Sequence, residues 1–424
     1  MPTINRRSFL QQSAAIIPAV AATPSAQAQD NEPVRHAVIG LGGQGNSHCK
    51  LYSSHPDCEL VAICDVDPER IVRTQQKVDG AADVLATKKF EDIIGDSSID
   101  SVSVVTPDHW HTPIALAALQ SGKHVHVEKP CSHNIHEGRL LAQTAARLGK
   151  CVQHGTQSRS GEGIRKAVAF MRDGGIGKVR LAKAINHQHR PPIGRASETS
   201  PPDGVEYDRW LGPAPERPFT KNRWHYNWHW HWDFGTGDMG NDGVHQIDVA
   251  RWGLGVGWPN SVSATGGQLY YDDDHETPDT QVVTFEYDEA YLVYEMRLWT
   301  NYTLEGHDNG VVFYGDDGKV DVGRAGCFVT RVGEKPEKLG GGSDLTAHVA
   351  NFLACVRSDD PSGLNAPITE GEISAGLCHL GNIATRLGRN LQFDPDAISI
   401  KDDEEAQSMQ TKKYRTGYEL PTNA

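Results

Sequence analysis

The chain has 424 residues, too many for one ordinary domain of roughly 100 to 200 residues and enough for two. With 38% hydrophobic and 23% charged residues it has the make-up of a folded globular protein, not of a disordered or membrane chain. A formal charge of -14 without clustered Lys and Arg excludes a duplex-binding protein, because neutralising phosphates needs such clusters, and small molecules become the expected partners.

The chain opens with Asn5-Arg6-Arg7-Ser8-Phe9-Leu10, continues through apolar Ala14, Ile16, Ile17 and Val20, and reaches Ala26-Gln27-Ala28. Paired arginines, a short apolar run and a small-x-small site predict a twin-arginine export signal over residues 1–28. The expected destination is the periplasm or another extracytoplasmic space, reached in folded form through the twin-arginine export machinery. The apolar run is too short to serve as an anchor, and no later stretch approaches ~18 uninterrupted apolar residues, so no membrane anchor is expected in the mature form. Eight cysteines are scattered without a CxxC pair, which argues against a cysteine-built zinc site. Most thiols are expected to be buried and free, with a pairing of Cys49 to Cys58 or Cys64 left open.

Residues 33–157 alternate short apolar runs with helical patterns. The runs at 36–39, 60–64, 101–105 and 124–127 end at Gly40, Asp65, Thr106-Pro107 and Glu128. Helical spacing at 114–119 and 140–148 between them predicts a parallel, doubly wound α/β Rossmann sheet. Gly40-Leu41-Gly42-Gly43-Gln44-Gly45 stands directly after the first strand as a GxGxxG element. Gly40 allows the tight turn, Gly42 lets backbone approach a pyrophosphate, and Gly45 lets helix and strand pack closely. Asp65, closing the second strand 25 positions after Gly40 (65 minus 40), is placed to bind a ribose diol and repel a 2'-phosphate, favouring NAD over NADP.

Residues 158–395 begin with a helix at 164–171. They continue with Val-, Tyr-, Phe- and Thr-rich stretches at 261–271, 281–287, 291–299 and 310–322. This predicts an α+β domain with a large, mostly antiparallel sheet. Amphipathic helices carrying Val349, Phe352, Leu353 and Val356, and Ile373, Leu377, Leu380, Ala384 and Leu387, are packing elements. Residues 396–424 are polar and read as a surface arm.

Polar residues at Thr106-Pro107-Asp108-His109-Trp110-His111 and Glu128-Lys129-Pro130 sit at the carboxyl ends of consecutive strands, the edge where open parallel sheets bind ligands. The glycine element, the Thr-Pro-x-x-x-His segment and above all the Glu-Lys-Pro tripeptide resemble the Gfo/Idh/MocA oxidoreductases over nearly the whole mature chain. The resemblance implies that Lys129 polarises the reacting hydroxyl or carbonyl and that Glu128 and Thr106, with Pro107 and His111 beside them, serve the cofactor together with Gly40, Gly42, Gly43, Gln44, Gly45 and Asp65. The family's Asp-x-x-x-His helix motif maps onto Asn241 and His245. His245 matches the family histidine, whereas Asn241 replaces the usual aspartate and Asp242 falls one residue off the expected face. Asn241 can hydrogen-bond a substrate hydroxyl but cannot act as a base. His245, with an ordinary pKa near ~6.5, can take the hydroxyl proton.

Three readings compete for Trp224-His225-Tyr226-Asn227-Trp228-His229-Trp230-His231-Trp232-Asp233. Trp230 and its neighbours can stack on sugar faces, the three histidines can bind a transition metal, or the run is a packed or inter-subunit loop. No metal is assigned to the site. Arg159 follows the last strand of the first domain and is placed either to reach substrate from the domain junction or to form an interdomain ion pair.

The expected activity is NAD(P)-dependent oxidation of a secondary hydroxyl in a sugar, glycoside or polyol. Because free NAD is not expected to be abundant outside the cytoplasm, a retained cofactor and a redox-neutral cycle follow. One such cycle pairs two sugars, and another cleaves a glycoside through a transient keto-sugar. A non-catalytic sugar-binding protein with structural NAD, and a metal-dependent lyase centred on the histidine run, are the alternatives. The family's use of an exposed second-domain sheet implies a homo-oligomer.

Overall fold

The computed structural model describes residues 32–421, so the export signal read over 1–28 lies outside the described residues. The first domain contains β1 (Val34–Ile39), α1 (Gly43–Ser54), β2 (Cys58–Cys64), α2 (Pro68–Lys77), β3 (Leu85–Thr87), α3 (Phe90–Ile94), β4 (Ser101–Val104), α4 (Asp108–Gln120), β5 (His124–Val127), α5 (Ile135–Leu148) and β6 (Val152–His154). Its six strands are parallel in the order β3-β2-β1-β4-β5-β6. The order reverses at β1 and β4, and a ligand crevice opens at such a switch point. All four residues of β4 and of β5 are buried, as expected for strands covered by helices on both faces.

The second domain runs through α6 (Glu162–Arg172), β7 (Val179–Asn186), α7 (Tyr207–Leu211), α8 (Val244–Leu254), β8 (Ser261–Gly267), β9 (Thr280–Glu286) and β10 (Tyr291–Arg297). It continues with β11 (Asn309–Gly315), β12 (Gly318–Gly323), β13 (Gly326–Arg331), β14 (Glu337–Gly340), α9 (Leu345–Ser358), α10 (Ile368–Leu387), β15 (Leu391–Asp394), β16 (Ser399–Lys401) and α11 (Glu404–Ser408). Ten strands form one sheet, β14-β13-β12-β11-β7-β10-β9-β8-β15-β16, antiparallel except where β10 lies parallel to β7. The stretch at 310–322 is two strands rather than one, because Gly315-Asp316-Asp317 turn the chain back and pair Tyr314 with Lys319. β7, the central strand, lacks clean apolar alternation and escaped the sequence reading, since α8 covers Ala182 and Ala184 while Ile185 and Asn186 are buried as well.

α10 ties the domains together. It packs on α5 of the first domain and on β8 of the second sheet, with Leu377 and Leu380 fully buried. Each such side chain stabilises the fold by about 1.5–3 kcal/mol. Among the described residues no helix is long and apolar enough to cross a membrane. All eight cysteines are free and buried, and burial pushes the Cys49 and Cys58 thiols up to about 12.

Between 395 and 421 the chain is more than a surface arm. β16 extends the second sheet, and the chain then crosses to the first domain. There Lys412 Nζ donates to His133 Nδ1 at 2.7 Å, Tyr414 Oη donates to Glu137 at 2.9 Å, and the Tyr418 ring stands edge-on to Trp110. Its polar residues read as solvated because their buried partners lie more than 270 positions away.

Candidate active site

A cavity of about 460 Å³ lies at the carboxyl edge of the first sheet and is roofed by the second domain. Gly40, Gly42, Gly43, Gln44, Gly45, Asp65, Thr106, Pro107, His111, Glu128, Lys129, Asn241 and His245 all line it. The turn after β1 has no room for a side chain at two of its glycines. A Cβ on Gly45 would stand 1.9 Å from the Gly40 carbonyl oxygen, and one on Gly40, where φ is +96°, would stand 2.4 Å from Val105 O. The helix beginning at Gly43 carries no acidic residue in its first turn and offers free N–H groups to an anion.

Asp65 accepts hydrogen bonds from Leu41 N at 2.7 Å and Asp67 N at 3.0 Å. Burial raises its pKa against the pull of these two amides. The cations at this end are already engaged: Lys88 pairs with Glu206 at 3.1 Å, Arg209 with Glu91 at 2.7 Å, and Arg70 Nε donates to His225 Nδ1 at 3.0 Å. His225 also reaches Asp67 at 3.1 Å, so the aromatic loop of the second domain is fastened over the crevice.

Glu128 is buried, and its Oε1 accepts from Gln44 Nε2 and His48 Nε2, both at 3.0 Å. Burial opposes its ionisation, but His48 and Lys129 outweigh it and hold the carboxyl well below the usual carboxylate range. His111 sets its ring between Thr106 O at 2.7 Å and Pro130 O at 2.6 Å, pinning two strand-end loops together. Thr106 Oγ1 is buried without a partner.

From the second domain, a π-helical turn at Met239–Gly243 runs into α8. Residues four apart stay nearly in line across such a wide turn, and Asn241 and His245 both face the crevice. Lys129 Nζ donates to the Asn241 carbonyl oxygen. Asn241 Nδ2 donates to Asp238 Oδ1 at 2.9 Å and to Tyr226 Oη at 3.2 Å. His245 is lowered to about 4, by burial and then by Lys129, and its Nδ1 has no partner. It is therefore a neutral imidazole at neutral pH, able to accept a proton.

Two of the candidate site residues lie elsewhere. Arg159 does not line the crevice: its Nε and Nη2 form a bidentate pair with Asp248 at 2.8–3.1 Å, and Nη2 reaches Glu370 at 3.1 Å. Nε and Nη2 are thereby engaged, so Arg159 takes the ion-pair role, with partners from its own domain, rather than reaching into the crevice. Trp230 is 2% exposed and packs against His275 in the core of the second domain, too deep to meet a ligand.

Its neighbours Trp224, His225, Tyr226 and Trp228 line the crevice instead. The histidines of the run go to separate partners, His225 to Asp67, His229 to Tyr226 O and His231 to Glu276. Among the described residues, the grouping with metal-ligand atoms within 4.8 Å of one another is His48, His126 and Glu128, where His48 already bonds Glu128. Sequence reasoning also passed over Asp238, which accepts from Asn186 at 2.9 Å and pairs with Arg190 at 3.2 Å, directly behind Asn241. Its only signal was its place seven residues before His245.

Residues 34–156 match the model of the "Oxidoreductase family, NAD-binding Rossmann fold", and residues 193–420 that of the "Oxidoreductase family, C-terminal alpha/beta domain". The chain is 32% identical over 156 residues to a glycosyl hydrolase family 109 protein of Saccharopolyspora erythraea, covering 35% of this chain and 34% of that protein. It is 29% identical over 184 residues to inositol 2-dehydrogenase 3 of the same organism, covering 42% of this chain and 53% of that one. The chain thus spans only about a third to a half of the length of these relatives.

Among solved structures, the WlbA dehydrogenase of Bordetella pertussis with NADH and UDP-GlcNAcA superposes with a TM-score of 0.66 at 20% identity, over 86% of this chain and 99% of that one. Aldose-aldose oxidoreductase of Caulobacter crescentus, complexed with glycerol, gives 0.67 at 18%, over 85% and 100%. These two likenesses concern the fold. The family models cover the first sheet, the second sheet apart from β7, and most of the crevice, and the chain belongs to the Gfo/Idh/MocA family of oxidoreductases, with an NAD-binding Rossmann domain.

Proposed function

We propose that the protein oxidises a secondary hydroxyl of a sugar, glycoside or polyol and keeps its NAD between turnovers. The observation that carries this reading is the meeting of Lys129, Asn241 and a neutral His245 at one end of a crevice whose other end is the glycine turn.

The residues present fit the dinucleotide. The turn closes tightly because Gly40 and Gly45 carry no side chain, open space remains beside Gly43, and Thr106 Oγ1 is a buried hydroxyl awaiting a partner. Bound NAD would supply the hydride acceptor. Gly42 and Gly43 would hold the pyrophosphate at the start of α1. Asp65 would take the ribose diol, and with Lys88 and Arg209 already paired to carboxylates, NAD is preferred to NADP.

His245 takes the hydroxyl proton as the carbinol C–H bond breaks. Lys129 donates a hydrogen bond to the same oxygen, which accumulates negative charge as it becomes a carbonyl. Asn241, held by Asp238, orients a neighbouring hydroxyl. Retention is supported by the aromatic loop, since His225 ties it to Asp67 and Arg70 across the crevice mouth. The match to glycosyl hydrolase family 109 proteins supports a second reading, in which the keto-sugar eliminates its aglycone, takes up water in its place and is reduced again. The same reading includes twin-arginine export and self-association through the open sheet face carrying Val282 and Tyr291.

Denaturing the purified protein and identifying the released nucleotide by mass and absorbance tests the core of this reading. Near-stoichiometric NAD, reduced on adding a sugar, is the expected result. A protein that holds no nucleotide and takes up none when it is supplied overturns it.

A further inference from the structure

A second cavity of about 490 Å³ meets the first at Gln157 and His245 and opens along the end of the second sheet. One wall is a single chain of hydrogen-bonded side chains drawn from five places in the fold. Arg324, after β12, donates from Nη2 to Gln188 Oε1 at 2.6 Å. Gln188, after β7, donates to Asp242 Oδ2 in the π-helical turn. Asn309 of β11 donates from Nδ2 to the same oxygen at 2.5 Å, and Gln246 of α8 donates from Nε2 to Asn309 Oδ1 at 2.8 Å. The chain is unfinished at its end: Gln246 is 5% exposed, and its Oε1 is buried without a partner. A buried acceptor left in this state is unfavourable unless something donates to it. Opposite these groups, Ile164, Val249, Val311 and Val322 give an aliphatic floor.

We infer that this cavity is a binding subsite for a second, uncharged polyhydroxylated ring, so that the substrate is a di- or oligosaccharide or a glycoside whose adjoining sugar lies on the far side of His245 from the first cavity. The inference rests on the sugar-oxidising reading above and specifies its substrate class.

Hydroxyl groups both donate and accept, as side-chain amides do, and a wall of fixed amides with one free acceptor is matched to them. The floor suits the C–H face of a ring. Charge selects against acidic sugars, because Asp242 presents a carboxylate to the cavity while Arg324 is occupied by Asp308 at 3.2 Å and by Gln188. Five elements fix these side chains before any ligand arrives, and binding then loses little rotamer freedom.

The test uses the purified full-length protein with its NAD, the neutral disaccharides cellobiose, maltose, lactose and melibiose, their monosaccharides, and an aldobiouronic acid. Saturation-transfer NMR reads which ring touches protein, and reduction of the bound NAD reads turnover. At least one neutral disaccharide is expected to receive saturation on both rings. In Gln246→Met and, independently, in Asn309→Leu, the second ring loses its signal, and the ratio of kcat/KM for disaccharide over monosaccharide falls about tenfold, the effect of one or two lost hydrogen bonds. Contact through one ring only, or an unchanged ratio in both folded variants, overturns the subsite. A uronate bound more tightly than its neutral counterpart overturns the uncharged class. Two-ring binding that depends on Gln246 without any NAD reduction sustains the subsite and removes the oxidising reading. Monosaccharide turnover with no second-ring contact does the reverse.

Discussion

Asp242 and Asp248 stand six residues apart and anchor two polar networks that differ in one respect. Around Asp248 no buried polar atom is left without a partner: Arg159 grips both oxygens, Ser374 donates to Oδ1 at 2.6 Å, and Arg251 and Arg159 share Glu370. Around Asp242 the chain runs from Arg324 to Gln246 and stops at an empty acceptor. Titration follows the same division. Burial opposes ionisation of Asp248, yet the Arg159 charge and hydrogen bonds hold it below its ordinary value. Asp242 is pushed up to about 6, by burial and then by Asp238. A closed network fastens structure, while an open one beside a cavity is shaped for a ligand. Similar residues on one helix can therefore serve different ends, and the number of unmet hydrogen bonds separates them.

The largest effect should come from the closed network. Asp248→Ala strands a buried guanidinium and should lower unfolding stability by about 3–5 kcal/mol in urea titration. Asp242→Asn should leave stability at neutral pH unchanged or raise it, since it removes a repulsion with Asp238 while keeping the shape. Comparable losses in both variants would break the distinction.

At the junction of the two cavities, His245→Gln should reduce turnover about 10²- to 10⁴-fold through loss of the proton acceptor, while the NAD content of the purified protein is kept. A fall in nucleotide content to match would move His245 from chemistry to cofactor binding.

The pH dependence should carry opposite signs in the two networks. Asp248 has a depressed folded pKa, so its contribution is present above the ordinary carboxylate range and is lost as pH falls through the folded value. Asp242 has a raised one, so its contribution is full below the ordinary value of 3.8 and is lost as pH rises through about 6. Urea titrations of Asp242→Asn against the parent should therefore show a stability gain that grows between about pH 4 and 6 and then levels off. A gain independent of pH would contradict the raised value.

The smallest change is Tyr226→Phe, which removes the hydroxyl beside Asn241 Nδ2 and should raise the KM for sugar a few-fold, within about 0.5–1.5 kcal/mol, with little effect on stability.

Much of the first domain was legible because its chemistry is local. The glycine turn, Asp65, Thr106 and the Glu128-Lys129 pair each stand at the end of a strand that announces itself by apolar content, and one motif fixes several contacts at once. His245 and Asn241 were found through a contiguous motif as well. Gln188, Asp242, Gln246, Asn309 and Arg324 gave no such signal, since five elements of a mixed sheet bring them together and no short window holds the pattern. Trp230 misled for the converse reason: in a run of aromatics, which ring faces the crevice and which fills the core depends on a backbone path of short 3₁₀ turns with no simple period. Arg159 was placed at the right junction, but whether a guanidinium there is free or gripped depends on Asp248 and Glu370, which arrive from two distant helices.

The strap beyond Asp394 bears on how the molecule is made. A ribosome completes the first sheet at His154 and has nearly the whole second sheet out before it reaches β16, Lys412 and Tyr418. Until then β15 ends in an open strand edge, and Trp110 in the crevice wall lacks the ring that closes over it. Unpaired edges of this kind recruit other chains and proteases. A chain cut before β16 therefore leaves β15 at the sheet edge and Trp110 without its covering ring, so the strap completes both domains at once.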